Sequence, residues 1–171
     1  MRVQQVLKWT AVGVIAAALV AVWFLYIKYE DIEKQKDISS EGISQILIRV
    51  RDVDLVLKES GDGKIHAALT GEKARSDSWT LEAGTEGASL QIESAFIQKA
   101  YLNYKDHPRR ELIVSLPKKS YNSIRLIESS HWRNASFSIP ESDGTPKTWS
   151  AAGLKGRKEL ESPFGIIVLS D

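Results

Sequence analysis

Ile46-Leu47-Ile48-Arg49-Val50-Arg51 is followed, after Asp52, by Val53-Asp54-Leu55-Val56-Leu57. Ile46, Ile48 and Val50 alternate with Leu47, Arg49 and Arg51, and Val53, Leu55 and Leu57 repeat the alternation. Successive side chains of a strand point to opposite faces, so this pattern reads as two strands that each bury one face. Ser60-Gly61-Asp62-Gly63 then reads as a turn, because glycine reaches positive φ freely and aspartate bonds its own backbone. Ile65, Ala67 and Leu69 continue the alternation, and Gly71 marks the end of that strand.

The same reading extends down the chain. Trp79 with Leu81, a turn over residues 84–87, Leu90 with Ile92 and a longer strand over residues 96–104 come next. Asp106-His107-Pro108 breaks that strand, since proline donates no backbone hydrogen bond. Strands follow at residues 112–116, 124–127, 135–139, 147–151 and 166–169, separated by Pro117, Asn134, Pro140 with Gly144, Gly153 with Gly156, and Pro163 with Gly165. The alternation places Ile48, Leu55, Leu57, Leu69, Leu90, Ile92, Ile113 and Ile124 inside. No helical apolar stripe of useful length occurs past residue 37. Many short strands with frequent turns make the fold all-β: a sandwich, barrel or solenoid. Glu-Ser recurs at residues 59, 93, 128 and 161, which is the spacing a stack of strand repeats would give.

The N-terminal part is of another kind. Residues 9–27 carry no charge and are bracketed by Lys8 and Lys28. As a helix rising ~1.5 Å per residue they span roughly 28 Å, close to the bilayer hydrocarbon thickness. Val12, Val14, Ile15, Leu19, Val20, Val22, Phe24, Leu25 and Ile27 together favour insertion by about 3–5 kcal/mol, and Trp9, Trp23 and Tyr26 sit where aromatic rings favour the headgroup level. A buried helix of a soluble core and a cleaved signal peptide are the alternatives. Ala16-Ala17-Ala18 offers a cleavage site, but cutting there leaves a greasy end from Leu19 onward. The expected organisation is a short cytoplasmic tail (1–8), a transmembrane signal anchor (9–27), a charged stalk (28–42) that continues the helix through Tyr29 to Lys36, and an extracytoplasmic β domain (43–171).

Composition restricts function. The formal net charge of the 171 residues is +1. Arg2 and Lys8 are the only charges before Lys28, which leaves 22 acids and the other 21 of the 23 bases to the rest of the chain. Such balance argues against a nucleic-acid binder, which needs a basic excess to neutralise phosphates. With no cysteine there is neither a disulfide staple nor a thiolate metal site, and an outer domain held by its core alone points to a bacterial cell.

The run Glu111-Leu112-Ile113-Val114-Ser115-Leu116-Pro117-Lys118-Lys119-Ser120-Tyr121-Asn122-Ser123-Ile124-Arg125-Leu126 resembles the bacterial putative-adhesin family, often called LiaG-like. Its members carry an apolar strand, Leu-Pro with a basic residue, then Tyr and a short strand. Leu154-Lys155-Gly156, Leu160-Glu161-Ser162 and Ile167-Val168-Leu169-Ser170-Asp171 resemble one further coil, and residues 55–71 resemble the family's opening strands. The resemblance implies a β-solenoid-like domain outside the membrane, a link to the cell envelope and its stress responses, and no catalysis. The family's Ser-Gly-Asp turns are replaced by Ser130-His131-Trp132-Arg133 and Ser162-Pro163-Phe164-Gly165; Ser60-Gly61-Asp62 keeps the pattern.

No constellation suggests chemistry. His66, His107 and His131 have no ligand spacing. Asp52 and Asp54 flank Val53 on one strand face, where a solvated pair is expected rather than a catalytic dyad. Neither a nucleophile elbow nor a phosphate loop occurs, and no cofactor is expected. Arg109, Arg110, Lys118 and Lys119 flank one strand and could form a basic patch toward anionic lipid or wall polymer, or serve as ordinary edge charge. Trp79, Trp132 and Trp149 fit partner anchors less well than core packing. Ile166, Ile167, Val168 and Leu169 end the chain with no polar cap and are expected to offer an open edge to another envelope protein or a second copy, with an inward strand as the alternative. The expectation is therefore a non-enzymatic envelope interaction protein held in the lipid bilayer through residues 9–27. A lipid- or glycan-transfer component with an open β trough is the competitor.

Overall fold

The computed structural model describes residues 2–22, 29–99, 110–129, 135–150 and 159–170 and, within its helix, the side chains of residues 10 and 12–22. One helix, α1 (Arg2–Val22), precedes strands β1 (Tyr29–Ile38), β2 (Gln45–Arg51), β3 (Asp54–Ser60), β4 (Ile65–Ala74), β5 (Ser78–Glu86), β6 (Ser89–Ile97), β7 (Arg110–Pro117), β8 (Ser123–Glu128), β9 (Ser136–Pro140), β10 (Pro146–Ser150), β11 (Glu159–Ser162) and β12 (Gly165–Ser170). Among the described residues no helix is long and apolar enough to cross a membrane; residues 23–27 of the expected span lie outside them.

The strands form two six-stranded sheets, in the orders β11-β12-β8-β2-β6-β5 and β1-β4-β7-β3-β9-β10. Their inner faces contribute to one hydrophobic cluster. Apart from α1, the described residues are all-β. Three strand pairs place one strand in each sheet: β2 with β3, β6 with β7, and β8 with β9. Within each sheet these strands run parallel, with β6 and β8 on either side of β2, and β7 and β9 on either side of β3. A solenoid stacks its coils in chain order, which would put the β2–β3 pair at one end. Here it is in the middle, and β7 fills the place between β3 and β4. The solenoid expectation is therefore corrected to a two-sheet arrangement. The Glu-Ser dipeptides do not mark equivalent positions: Val50 faces Ser94 on one side and Glu128 on the other.

Parallel register builds aliphatic ladders. Ile46 lies between Leu90 and Ile124, and Ile48 between Ile92 and Leu126. In the other sheet Leu55 lies between Leu112 and Phe137. All nine are at most 2% exposed. Burying each such side chain contributes about 1.5–3 kcal/mol. Of the residues expected inside, Ile113 is the exception. On β7 the inward set is Leu112, Val114 and Leu116, while Ile113 is half-buried on the other face. The continuous apolar run Leu112-Ile113-Val114 gave no alternation from which to read the phase.

Further differences lie at strand ends. The strand expected over 96–104 is the end of β6, which stops at Ile97; residues 100–104 lie outside the described residues. Gly84 sits within β5, and the turn is confined to Gly87-Ala88, with Gly87 at φ 57°. β4 continues through Gly71 to Ala74. The departure Ser162-Pro163-Phe164-Gly165 has a packing reason: this turn between β11 and β12 buries Phe164 completely, and Gly165 at φ 110° comes so close to Tyr121 that a Cβ there would stand 3.1 Å from its carbonyl oxygen.

The largest correction concerns residues 28–42, expected as a charged stalk. Residues 29–38 are a strand that pairs antiparallel with β4 along its whole length, Tyr29 opposite Ala74 through Ile38 opposite Ile65. Charge on both faces hid it, since Ile32 is the one fully buried residue of β1 and only Ile38, at its end, joins it against the core. The packed domain therefore begins at Tyr29. A chain starting at Tyr29 should unfold at the same denaturant concentration as the full chain's β domain, and a chain starting at Ser39 at a markedly lower one. Equal midpoints would mean β1 adds nothing. Leu112→Ala should cost about 2–5 kcal/mol in the same melts and Ile113→Ala clearly less; the reverse order would overturn the phase of β7.

Candidate functional site

Of the four bases singled out in the sequence, the three described do not converge. Arg109 lies outside the described residues. Arg110 opens β7 and is buried, with its guanidinium carbon 3.4 Å from the centre of the Phe96 ring, a cation–π contact that fixes both groups. Lys118 and Lys119 follow the other end of this eight-residue strand, roughly 25 Å away at ~3.3 Å per residue. Lys118 reaches Glu59 at 3.8 Å, and Lys119 donates to the Ser40 carbonyl at 2.7 Å while its ammonium lies 5.1 Å from the Tyr121 ring centre. The described bases are thus one packing arginine at one end of β7 and two lysines at the other.

The C-terminal strand is likewise not an edge. β12 is bonded on one side to β8, with Ile167 opposite Ile124, and on the other to β11, with Leu160 opposite Ile167 and Glu161 opposite Ile166. Ile167 is fully buried, Val168 and Leu169 are half-buried and Ile166 is exposed at 53%. The open edge expected at Ile166, Ile167, Val168 and Leu169 is closed by β11, a strand of only four residues that the sequence pattern did not reveal.

Asp52 and Asp54 are structural. Asp52 is 5% exposed and adopts φ 55° at the corner where the chain passes from β2 to β3. Aspartate tolerates this left-handed conformation better than most residues. Asp54 accepts from the Ser136 amide at 2.8 Å and its hydroxyl at 2.9 Å, fastening β3 to the start of β9. Trp79 is buried, its indole N–H donating to Ser94 Oγ at 3.1 Å, and Trp149 packs against the core edge beneath Lys147. Trp132, Asn134, His107 and His131 lie outside the described residues.

His66 is the histidine the structure places. It stands directly opposite Asp37 across β1 and β4, with Nδ1 2.8 Å from Asp37 Oδ1 and Nε2 2.8 Å from Asp62 Oδ1. Only an imidazolium donates from both nitrogens, so this geometry favours the charged form. Hydrogen bonds to the two carboxylates raise the His66 pKa above its ordinary 6.5. The bond from His66, aided by the Lys64 amide and Ser60 hydroxyl, holds Asp62 well below the usual carboxylate range; His66 and Gln35 lower Asp37. The bridge ties the end of β1 to the β3–β4 turn. Among the described residues no group of histidines and carboxylates is arranged to hold a metal ion.

Two clefts open where the sheets part. One, of about 330 Å3, lies between the β9–β10 hairpin and β11 and is lined by Trp149, Lys147, Glu141, Glu159 and Glu161 among others. Within it Lys147 pairs with Glu141 at 2.6 Å. The larger, of about 500 Å3, lies between Lys36 of β1 and the β5–β6 hairpin. Its charged lining is Lys36, Glu82, Glu86 and Glu93. Glu82 faces Glu93 directly across β5 and β6, and Arg49 of β2 flanks Glu93 on the other side. Like charges directly opposite on neighbouring strands are destabilising. The pairing of β5 with β6 was not readable locally, so this acidic edge was missed; the visible signal was three glutamates spaced around Gly84 and Gly87.

No family model matches this sequence, and no curated protein does. Among solved structures the fold is similar to a putative cell adhesion protein from Clostridium sporogenes, with a TM-score of 0.42 at 10% identity over 58% of this chain and 48% of that one. It is also similar to a putative adhesin from Parabacteroides merdae, with a TM-score of 0.25 at 12% identity over 57% and 39% of the two chains. The matched part spans less than half of either neighbour.

The His66 bridge makes stability depend on pH in a defined window. The raised histidine pKa contributes stability that is complete below its ordinary 6.5 and is lost as pH rises through the folded value. The lowered aspartate values contribute stability that is present above their ordinary 3.8 and is lost as pH falls through the folded values. The gap in denaturation midpoint between wild type and His66→Ala should be widest between about pH 4 and 6.5 and should narrow toward pH 8. A gap that grows above pH 7 would contradict the bridge.

Proposed function

We propose that this chain is a non-catalytic interaction protein of the bacterial envelope, of putative-adhesin type. In this reading α1 with the residues after it anchors the chain in the membrane, and the β domain lies on the extracytoplasmic side. The observation that carries it is the helix surface. Val12, Val14, Ile15, Leu19, Val20 and Val22 are between 46% and 65% exposed, and none belongs to the core cluster of the β domain. So many aliphatic side chains in one turn-by-turn run need an apolar medium or an apolar partner. A lipid bilayer is the medium whose thickness suits the uncharged run 9–27. The N-terminal tail, with Arg2 and Lys8, stays cytoplasmic.

The packing of the β domain supports interaction over transport. A lipid- or glycan-transfer trough needs an accessible apolar lining. Here the inward residues of both sheets pack against one another, and the larger described cleft is lined by charged and polar groups. The sequence resemblance of residues 111–126 points the same way. Recognition then falls to the surface and to the sheet edges.

The full chain should stay with membranes after a carbonate wash, while a chain beginning at Tyr29 should be released. External protease should remove the β domain and leave a protected fragment from the N-terminus. Recovery of the full chain in the soluble fraction, or of a mature form beginning near Leu19, would sink the anchor.

A further inference from the structure

The four edge strands are guarded unequally. β1 carries Lys34 and Lys36, β10 begins with Pro146 and Lys147, and β11 is four residues long. Lysine, proline and shortness are the usual defences of a sheet edge. β5, with sequence Ser78-Trp79-Thr80-Leu81-Glu82-Ala83-Gly84-Thr85-Glu86, is nine residues long and has neither proline nor a base. Its first half is covered, because Lys34 of β1 donates to the Trp79 carbonyl at 3.0 Å. Its second half opens onto the 500 Å3 cleft, where Glu82, Gly84, Thr85 and Glu86 are exposed.

We propose that residues 82–86 of β5 are a docking edge for an extended, basic polypeptide segment that adds as a strand to the sheet. This deepens the reading of the chain as an interaction protein but is independent of the anchor. Two features select the occupant. An edge presents backbone N–H and C=O groups at alternate residues. Trp79, whose carbonyl takes the lysine, belongs to the outward set, and Ala83 and Thr85 follow at the same period. Five residues span roughly 17 Å at ~3.3 Å each, enough for a short added strand.

The second feature is charge. Glu82, Glu86 and Glu93 outnumber Lys36, the one base of the cleft lining; Arg49 stands opposite Glu93 on β2, yet none of the three acids makes an ion pair among the described residues. The Glu82–Glu93 juxtaposition costs stability in the free domain and is relieved by an incoming cation. A second copy pairing through β5 would set acid against acid, which rules against self-association here. An arriving strand with Lys or Arg on its outer face matches both the backbone and the field.

The test uses the full chain in non-ionic detergent and two labelled peptides of equal charge. One is Lys-Val repeated four times; in the other each Val is Pro, which keeps the charge and abolishes strand pairing. The Lys-Val peptide should bind at least ~10-fold more tightly by fluorescence anisotropy. It should also slow amide exchange within residues 82–86. Replacing Glu82, Glu86 and Glu93 together by Gln, at exposed positions that do not threaten folding, should weaken binding about ten-fold or more. Thr85→Pro, which removes an outward donor, should do so without changing the charge. Equal affinity for the two peptides, binding without protection at 82–86, or no binding at peptide concentrations on the order of 1 mM would overturn the proposal. Release of the chain by carbonate with protection at 82–86 intact would remove the anchor and leave the docking edge standing.

Discussion

Everything in the β domain depends on the corner at Asp52. There the chain leaves β2 in one sheet and enters β3 in the other, with Asp52 at φ 55° and 5% exposed. Because β2 and β3 are central in both sheets, this corner sets the register of two layers at once. Ile46 and Ile48 carry the ladders of one layer, and Leu55 carries the other. The Ser129 amide donates to the Val50 carbonyl at 3.1 Å, and Asp54 holds Ser136, so the neighbouring β8–β9 crossing is pinned to the same corner. A one-residue slip in β2 would turn its whole apolar set outward.

Where the core ends, electrostatics takes over. β1 offers the cluster Ile32 and, at its end, the partly buried Ile38, and is held to β4 by a backbone ladder along its whole length, to which charge pairs are added. Glu30 meets Lys73 at 2.6 Å near the start of the strand, and Asp37 meets His66 near its end, both pairs directly opposite in register. The hydrogen bond from Lys73 keeps the Glu30 carboxyl below its ordinary value. Exposed pairs of this kind are individually weak. Their effect is to choose the register of a strand whose own side chains would permit several. The Lys34 bond to the Trp79 carbonyl then joins β1 to β5 across the gap between the sheets.

The same contrast explains what was legible in the sequence. Strands with one wet and one dry face, β2, β3, β4 and β6, announced themselves by alternation, and their inward residues were readable one by one. β7 carries the half-buried Ile113 on its outer face between the inward Leu112 and Val114, so its existence was legible and its phase was not. β1 is charged on both faces, which is also how a solvated stalk looks. The order of strands was out of reach, because nothing local states that β6 and β8 flank β2. For the same reason the basic residues around β7 looked like one patch, the C-terminal strand looked uncapped, and the meeting of Glu82 with Glu93 was invisible.

These features bear on the proposed recognition role. The ladders of the two sheets close the described core, and the two clefts described are lined largely by charged and polar groups. What remains is periphery, where each edge differs. Three of the edges carry the devices that stop strand addition, and the fourth carries only acids. Acids repel a second β5 as effectively as lysines repel a second β1, so aggregation is opposed at every edge. Acids differ from lysines in what they would admit: in the docking proposed for β5, a basic strand meets both backbone groups and a favourable field. An edge that excludes its own kind while admitting the opposite charge would be selective by construction, with no need of a pocket, and that is the physical content of the proposal for β5.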